Sequence, residues 1–209
     1  MVRVAVIGNI GAGKTSLVNH LAKATGWPIA LEPVQRWTDS GFLSAFYNET
    51  MKYAFSFQIY AFITKIMSYE NETSDNLIMD AFVITDRAFM KALQTQGFIT
   101  AEEMNWYDSI NQDLQVLVRD HIKPDLIIYL ALDPKTCLER IHSRDRQEEK
   151  QLTLSYLETL GHELDIIAKE HHGYHIITID ASLSEEEILF HAQQACDLFI
   201  KKQERMFFQ

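Results

Sequence analysis

Nine residues near the start of the chain, Gly8 to Ser16, carry three glycines, one lysine and two hydroxyl side chains in the order GNIGAGKTS. Gly8, Gly13, Lys14 and Thr15 fit the pattern G-x-x-x-x-G-K-[ST]. Glycines let successive backbone N–H groups turn toward phosphate oxygens, and a helix N-terminus adds partial positive charge. Lys14 can place a full charge near the β- and γ-phosphates, and the Thr15 hydroxyl can bind Mg²⁺. We therefore predict a nucleoside triphosphate site formed by the whole loop: Gly8, Asn9, Ile10, Gly11, Ala12, Gly13, Lys14, Thr15 and Ser16.

Two other stretches place charged residues directly after predicted strands: EPVQRW, which begins at Glu32, and TDRAF, which contains Asp86 and Arg87. Side chains at the carboxyl ends of parallel strands face the crevice where α/β sheets bind ligands. Glu32 could accept the proton of a hydroxyl group. Asp86 could help to hold Mg²⁺, and Arg87 could orient a hydroxyl or a phosphate. A surface carboxylate and a surface salt bridge are the alternatives for these stretches.

A third charged stretch, ERIHSRDRQEE, contains Arg140, Arg144 and Arg146. On a helix, Arg140 and Arg144 would share one face, one turn apart. Arginines that close over a transferring phosphoryl group stabilise the charge on its oxygens. We predict an arginine-rich lid over about 140–151, although a solvated charged helix face would show the same pattern.

The elements that would position these residues alternate between strands and helices. The predicted strands are short apolar runs at 2–7, 29–33, 77–85, 125–132 and 175–180. The predicted helices begin within the glycine loop, span about 50–71, 101–122 and 153–171, and follow Pro134 and Ser184. This order predicts an α/β protein with the P-loop NTPase fold, in which helices flank both faces of a five-stranded parallel sheet.

Composition limits the classes of function. The 209 residues carry a net charge of −10, which disfavours nucleic acid and anionic membranes as partners. No apolar run reaches the length of about 18 residues that a bilayer span requires. Two distant cysteines, Cys137 and Cys196, match no metal or redox spacing, so we expect reduced thiols and a cytoplasmic location. We expect a single domain over residues 1–209.

Taken together, GNIGAGKTS, EPVQRW, FSFQIY, DRAF and ERIHSRDRQEE occur in the order and rough spacing of the deoxyribonucleoside kinases. The resemblance covers nearly the whole chain, from Val2 to about Glu187. It implies an enzyme that transfers the γ-phosphate of ATP, with Mg²⁺, to the 5′-hydroxyl of a small-molecule deoxynucleoside. It also implies a homodimer.

The resemblance implies a role for each catalytic candidate. Glu32 matches the general base that takes the 5′-hydroxyl proton, and Arg87 matches the arginine that contacts that hydroxyl and Glu32. Asp86 matches an acidic position near Mg²⁺. The lid arginines over the phosphates are matched by Arg140, Arg144 and Arg146.

The resemblance also implies the substrate pocket. Tyr47 and Glu149 match the pair that holds the sugar 3′-hydroxyl, and Gln58 matches the glutamine that pairs with the base edge. Trp37 and Phe57 match aromatic walls. Base-selecting positions are occupied by Lys65, Ala61 and Ala92, and the two alanines are small. With these small residues we predict a roomy pocket that favours thymidine and deoxycytidine.

Two departures from the family pattern bear on the base pocket. An aromatic residue expected about ten positions beyond Asp86 is missing, with Gln96 at that position and Phe98 nearby. Lys65 is unusual for a base pocket, and we expect its side chain to extend outward from the pocket.

Two other functions stay open. A kinase similar to thymidylate kinase would need extra cations for the phosphate of its acceptor. A non-catalytic nucleotide-binding protein or GTP-dependent switch is the third reading, although the chain lacks the N-K-x-D motif that reads guanine.

Overall fold

The protein is described by a computed structural model that covers residues 2–72, 74–115, 122–144, 149, 151–170 and 173–207. Its five strands are all parallel and lie in the order β2-β3-β1-β4-β5. Their bounds are β1 Val2–Gly8, β2 Ile29–Ala30, β3 Asn76–Asp80, β4 Leu126–Ala131 and β5 Ile176–Asp180. The predicted five-stranded parallel sheet is confirmed.

Helices connect the strands and cover the sheet. In chain order, the helices of the described residues are α1 Lys14–Thr25, α2 Val34–Asp39, α3 Phe42–Asn48, α4 Thr50–Glu70, α5 Asp86–Thr95, α6 Ala101–Gln115, α7 Pro134–Arg144, α8 Leu154–Glu170 and α9 Glu185–Phe207. The described part of the chain contains no helix long and apolar enough to cross a membrane.

Helices bury both faces of the sheet, and both faces are apolar. Along β1, Ala5 and Ile7 belong to the core that α4, α5 and α8 cover. Val4 and Val6 alternate with them and belong to the core beneath α1 and α9. This period of two explains why β1 reads as a continuous apolar run.

Local signals in the sequence fix several helix ends. Gly26 ends α1 in the left-handed conformation, with φ 72°, which suits glycine. The Asp133 carboxylate accepts hydrogen bonds from the first backbone N–H groups of α7. Ser184 and Glu187 form a reciprocal capping box at the start of α9.

The strand predicted over 77–85 is shorter than expected. β3 ends at Asp80, and a 3₁₀ turn over Val83–Thr85 leads into α5. Ala81 makes this possible with a left-handed φ of 67°, a conformation that alanine seldom adopts. Five residues of the predicted strand, 81–85, therefore lie outside the sheet, and Asp80 stands at the strand end in place of Asp86. Of the helix predicted over 101–122, the described residues contain α6, Ala101–Gln115, and 116–121 lie outside the description.

Candidate active site

One cavity of about 350 Å³ opens at the carboxyl ends of β1 and β3. These neighbouring strands lead into connections that run to different parts of the sheet, so a crevice forms between them. The glycine loop contributes Gly8, Ile10, Gly11, Lys14 and Thr15 to its wall. Aromatic side chains of α2, α3 and α4 line the same cavity, which therefore joins an anion-binding loop to an apolar chamber.

The glycine loop is held in shape by contacts that only glycine permits. A Cβ on Gly11 would lie 2.6 Å from the carbonyl oxygen of Cys137, and Gly11 has a φ of 82°. Asn9 pins the loop to α8, since its Nδ2 donates to the carbonyl of Leu157 at 2.8 Å. The buried Asn9 side chain faces the protein, so this residue can offer a ligand only its backbone.

Lys14 folds back over the loop, where Nζ donates to the carbonyl oxygens of Gly8 and Asn9 at 3.1 and 3.0 Å. Burial lowers the pKa of Lys14, while the Glu32 and Asp80 carboxylates oppose the shift. A bound polyphosphate would offer stronger acceptors than these two carbonyls. Lys14 is therefore a hydrogen-bond donor held at the anion site.

Asp80, at the end of β3, is the acidic residue that meets the loop. Its Oδ2 accepts a 2.6 Å hydrogen bond from the Thr15 hydroxyl. Its Oδ1 is buried and has no hydrogen-bond partner among the described residues. Burial raises the pKa of Asp80, while Lys14 and the Thr15 hydrogen bond oppose that shift. Carboxylate and hydroxyl oxygens are ligands that Mg²⁺ accepts, together with nucleotide phosphates, so this pair fits such an ion.

The sequence reading missed Asp80 because it placed the strand end at Thr85. The strained Ala81 directly after Asp80 is held in place on both sides. Its N–H donates to the carbonyl of Val6 at 3.0 Å, and its own carbonyl accepts from the Tyr69 hydroxyl at 3.1 Å. A left-handed residue of this kind costs about 1–3 kcal/mol and is typical of functional sites.

Glu32 follows β2 and lines the cavity, as the sequence predicts for a crevice carboxylate. Its Oε1 lies 3.2 Å from Nζ of Lys65, and that Nζ lies 2.5 Å from Oδ1 of Asp86. Asp86 is almost fully buried and does not line the cavity. The expectation that Lys65 extends outward is wrong, because Lys65 is 3% exposed and lines the cavity.

Aromatic rings form the apolar chamber. Trp37 and Phe57 line it as the resemblance implies, with ring centroids 5.6 Å apart. Trp37 is fixed by a 2.8 Å hydrogen bond from Nε1 to the Thr64 hydroxyl. Phe46 stacks on Phe57 at 4.7 Å, and Phe89 adds a further wall. The sequence reading did not find Phe46 or Phe89, and Gln96, which it weighed instead, is half-buried, does not line the cavity and donates to Ser155.

Polar groups in the chamber are few. Gln58 and Ala61 lie on the cavity wall one turn apart on α4. The buried Gln58 amide makes no hydrogen bond within the described part of the protein. A buried amide of this kind offers a donor and an acceptor side by side to a ligand. The predicted base-edge residue is thus in the chamber.

Tyr47 and Glu149 both line the cavity. Burial raises the pKa of Tyr47, and Tyr156, Glu149 and Glu32 add to the shift, so the phenol stays neutral. Glu149 is held by Arg144, whose Nε donates to its Oε2 at 2.8 Å. The predicted sugar pair is therefore assembled beside a lid arginine. Arg146 lies outside the described residues, as do 145, 147, 148 and 150 of the predicted lid.

Comparison with known proteins decides the family. The chain matches the deoxynucleoside kinase family over residues 4–206, nearly its whole length. The chain belongs to the deoxynucleoside kinase family. The family prediction made from the sequence is confirmed, and with it the class of enzyme, an ATP-dependent phosphotransferase.

Curated relatives of this kinase carry different substrate names. It is 30% identical over 184 residues to a probable deoxycytidine kinase of fowlpox virus, covering 85% of this chain and 77% of that protein. It is 33% identical over 181 residues to a deoxyguanosine kinase of Dictyostelium discoideum, covering 83% and 61%. It is 29% identical over 170 residues to the mitochondrial thymidine kinase 2 of Homo sapiens, covering 76% and 61%. The chain thus spans about three fifths of the length of the last two relatives.

A solved structure has the same fold. A deoxyadenosine kinase from M. mycoides, solved with dCMP and dCDP, superposes with a TM-score of 0.83 at 24% identity. The superposition covers 93% of this kinase and 98% of that chain. The P-loop NTPase fold predicted from the sequence is confirmed.

Besides Asp86, the predicted site residues Arg87, Ala92 and Arg140 do not line the cavity of this kinase. Arg87 pairs with Asp108 at 2.8 and 3.0 Å and is 49% exposed on its side chain, so it does not contact Glu32. Ala92 is fully buried in the core beneath the chamber wall. Arg140 lies beside Gly13 and donates to the carbonyl of Ala181 at 3.1 Å. Arg140 is therefore close to the glycine loop without lining the cavity. The Arg87 prediction followed from a strand end placed too late, whereas the Ala92 prediction came from the family resemblance alone.

Proposed function

We propose that this kinase transfers the γ-phosphoryl group of ATP to the 5′-hydroxyl of a 2′-deoxynucleoside, with Glu32 as the proton acceptor. The observation that carries the proposal is the single cavity shared by the glycine loop, Glu32 and the aromatic chamber. A nucleoside base can stack on the rings while its sugar extends toward the loop. The primary alcohol would then lie between the carboxylate and the transferring group.

Each residue of the cavity has a role in this reaction. Glu32 would accept the hydroxyl proton as the new O–P bond forms. Lys14 and Arg144 would stabilise the charge on the phosphoryl oxygens. Tyr47 and Glu149 would bind the 3′-hydroxyl, and their burial would reject sugars that lack it. Thr15 and Asp80 would hold Mg²⁺, which supplies charge neutralisation on the phosphates when bound.

The charges that line the cavity favour a hydroxyl acceptor over a phosphate acceptor. Arg144 is paired with Glu149, and Lys65 is paired with Glu32 and Asp86. Of the lysines and arginines that line the described cavity, Lys14 alone is not in such an ion pair, and it belongs to the donor loop. A monophosphate acceptor would leave its own charge without a matching cation.

We propose a broad pocket in which thymidine and deoxycytidine are preferred. Ala61 leaves room beside Gln58, and the rings offer stacking faces to any base. The range of bases in the names of the relatives agrees with a pocket that a few substitutions can retune.

Initial rates with ATP, Mg²⁺ and each of the four deoxynucleosides at equal concentration test this proposal. We expect turnover of all four, with the highest kcat/KM for thymidine and deoxycytidine. Thymidylate should react at least about 100-fold more slowly than thymidine, because its phosphate would be buried without a partner. Turnover of thymidylate at the thymidine rate would contradict the proposal.

We also propose that the kinase is a homodimer that pairs through α4 and α6. Apolar side chains follow one another at intervals of four residues along α4: Met51, Phe55, Ile59 and Ile63. The ring of Trp106 on α6 packs edge-on against Phe55, with ring centroids 6.3 Å apart. Trp106 is 59% exposed, and Met51 and Ile63 are also exposed. Contiguous exposed apolar side chains of this kind are typical of interaction surfaces.

Sedimentation velocity of the Trp106→Glu variant tests the dimer. We expect the wild-type kinase to sediment as a dimer and the variant to shift to monomer, because a buried charge at an apolar interface is costly. Circular dichroism would show that the variant is folded. A monomeric wild-type protein at micromolar concentration would contradict the proposal.

A cytoplasmic location is the compartment that we propose. Cys137 and Cys196 are both buried and unpaired, and burial raises the pKa of each thiol to about 11. Such thiols are poor nucleophiles and do not form disulfides readily. They suit a reducing environment.

A further inference from the structure

Among the residues that the structure describes, Lys65 supplies the ammonium that pairs with Glu32. Lys65 lies in the middle of α4, where it is 3% exposed, and its Nζ is 3.2 Å from Oε1 of Glu32. The rings of Trp37 and Phe89 flank the ammonium, with centroids 5.9 and 5.8 Å away. These two rings fix the direction of the side chain, so the ammonium has little freedom to leave Glu32.

A second carboxylate anchors the same ammonium from behind. Asp86 Oδ1 lies 2.5 Å from Nζ, and Asp86 is 1% exposed. A buried ion pair contributes little net stability, because desolvation offsets the attraction. Hydrophobic residues of similar volume would hold α4 against α5 at least as well. The position of this costly pair beside the cavity therefore points to a role in the site.

We propose that Lys65 is a positioning residue that holds the Glu32 carboxylate at the reacting hydroxyl, with Asp86 as the anchor of Lys65. The proposal rests on the proposed function, in which Glu32 accepts the proton. It assigns to Lys65 the contact with Glu32 that the sequence reading expected of Arg87.

The Asp86 anchor explains how the Lys65 cation can position the general base Glu32 without lowering its ability to accept a proton. An isolated ammonium beside Glu32 would favour the ionised carboxylate and oppose proton uptake. Asp86 compensates that charge, because Lys65 and Asp86 together are close to neutral. The pair then offers Glu32 a directed hydrogen-bond donor with little net field. A neutral donor pair of this kind keeps the Glu32 carboxylate oriented toward the reacting hydroxyl, and reaction rates depend steeply on such orientation.

A double-mutant cycle tests the proposal. We expect Lys65→Met to lower kcat by about 10- to 100-fold with a smaller change in the KM of the deoxynucleoside. Lys65→Arg, which keeps the charge, should recover part of the lost kcat. In the Glu32→Gln background, Lys65→Met should lower kcat by less than about twofold, because the residue that it positions is gone.

Lys52→Met is the matched control, since Lys52 lies on the same helix and is exposed. We expect its kcat to stay within about twofold of the wild-type value. Lys65→Met leaves Asp86 buried without its partner, so thermal unfolding of each variant must be measured. If Lys65→Met does not fold, the double variant Lys65→Met/Asp86→Asn removes both charges and replaces it in the cycle.

The outcomes separate this inference from the proposed function. Equal losses of kcat from Lys65→Met in the wild-type and Glu32→Gln backgrounds would overturn the positioning role. An increase in KM with unchanged kcat would overturn it as well, since Lys65 would then bind the nucleoside directly. Unchanged kcat in Glu32→Gln alone would instead overturn the assignment of the proton acceptor.

Discussion

Glu32→Gln is expected to lower kcat for thymidine by about 100-fold or more, because a positioned proton acceptor contributes about that factor. Glutamine keeps the size of the side chain and can still accept a hydrogen bond from Lys65 Nζ, which lies 3.2 Å from Oε1 in the wild-type kinase. What it loses is the ability to take the proton of the 5′-hydroxyl. The KM of thymidine should change little, since the lost interaction develops only in the transition state.

Steady-state kinetics and calorimetry of ATP binding measure this prediction. The affinity for ATP should stay within about threefold of wild type, because Glu32 does not belong to the glycine loop. Glu186→Gln is a control of the same chemistry at an exposed position near the start of α9, and its kcat should be unchanged. If Glu32→Gln turns over as fast as wild type, another group accepts the proton.

The sequence predicted most of the fold because the relevant signals are local. Each strand is a short apolar run, and the three central runs, β1, β3 and β4, are buried on both faces of the sheet. The glycine loop is a contiguous pattern, so its residues and the helix that follows it could be read directly. Asp133 and Ser184 marked helix starts through side chains that bond to the next few backbone N–H groups.

The site was harder to predict because its parts meet only in three dimensions. Asp80 was overlooked because the apolar residues after it continue the strand pattern, and a left-handed alanine has no sequence signal. That error of six positions moved the predicted acid and arginine onto the start of α5. Lys65 appeared anomalous because both of its carboxylate partners lie on other elements. A buried cation can be recognised only once its partners are in place.

Asp80→Asn is expected to impair the use of Mg²⁺, whereas Asp86→Asn is not. Asp80 accepts a hydrogen bond from Thr15 and keeps one buried oxygen without a partner among the described residues. Asparagine retains an acceptor for Thr15 but lacks the charge that a hard cation prefers. We expect kcat to fall about 100-fold and the Mg²⁺ concentration for half-maximal rate to rise about tenfold.

Binding and stability distinguish this role from a structural one. Mg²⁺ should increase the ATP affinity of wild type and of Asp86→Asn, measured by calorimetry, and should increase that of Asp80→Asn much less.

Burial raises the pKa of Asp80, so the ionised carboxylate is destabilising in the folded protein. The melting temperature of ligand-free Asp80→Asn should therefore be no lower than that of wild type, as is common when a functional charge is removed. A fall in melting temperature together with an intact Mg²⁺ response would show that Asp80 supports the glycine loop and not the ion. The same loss of the Mg²⁺ response in Asp86→Asn would return the metal site to the residue that the sequence reading chose, and would mean that the Lys65–Asp86 pair opens when nucleotide binds.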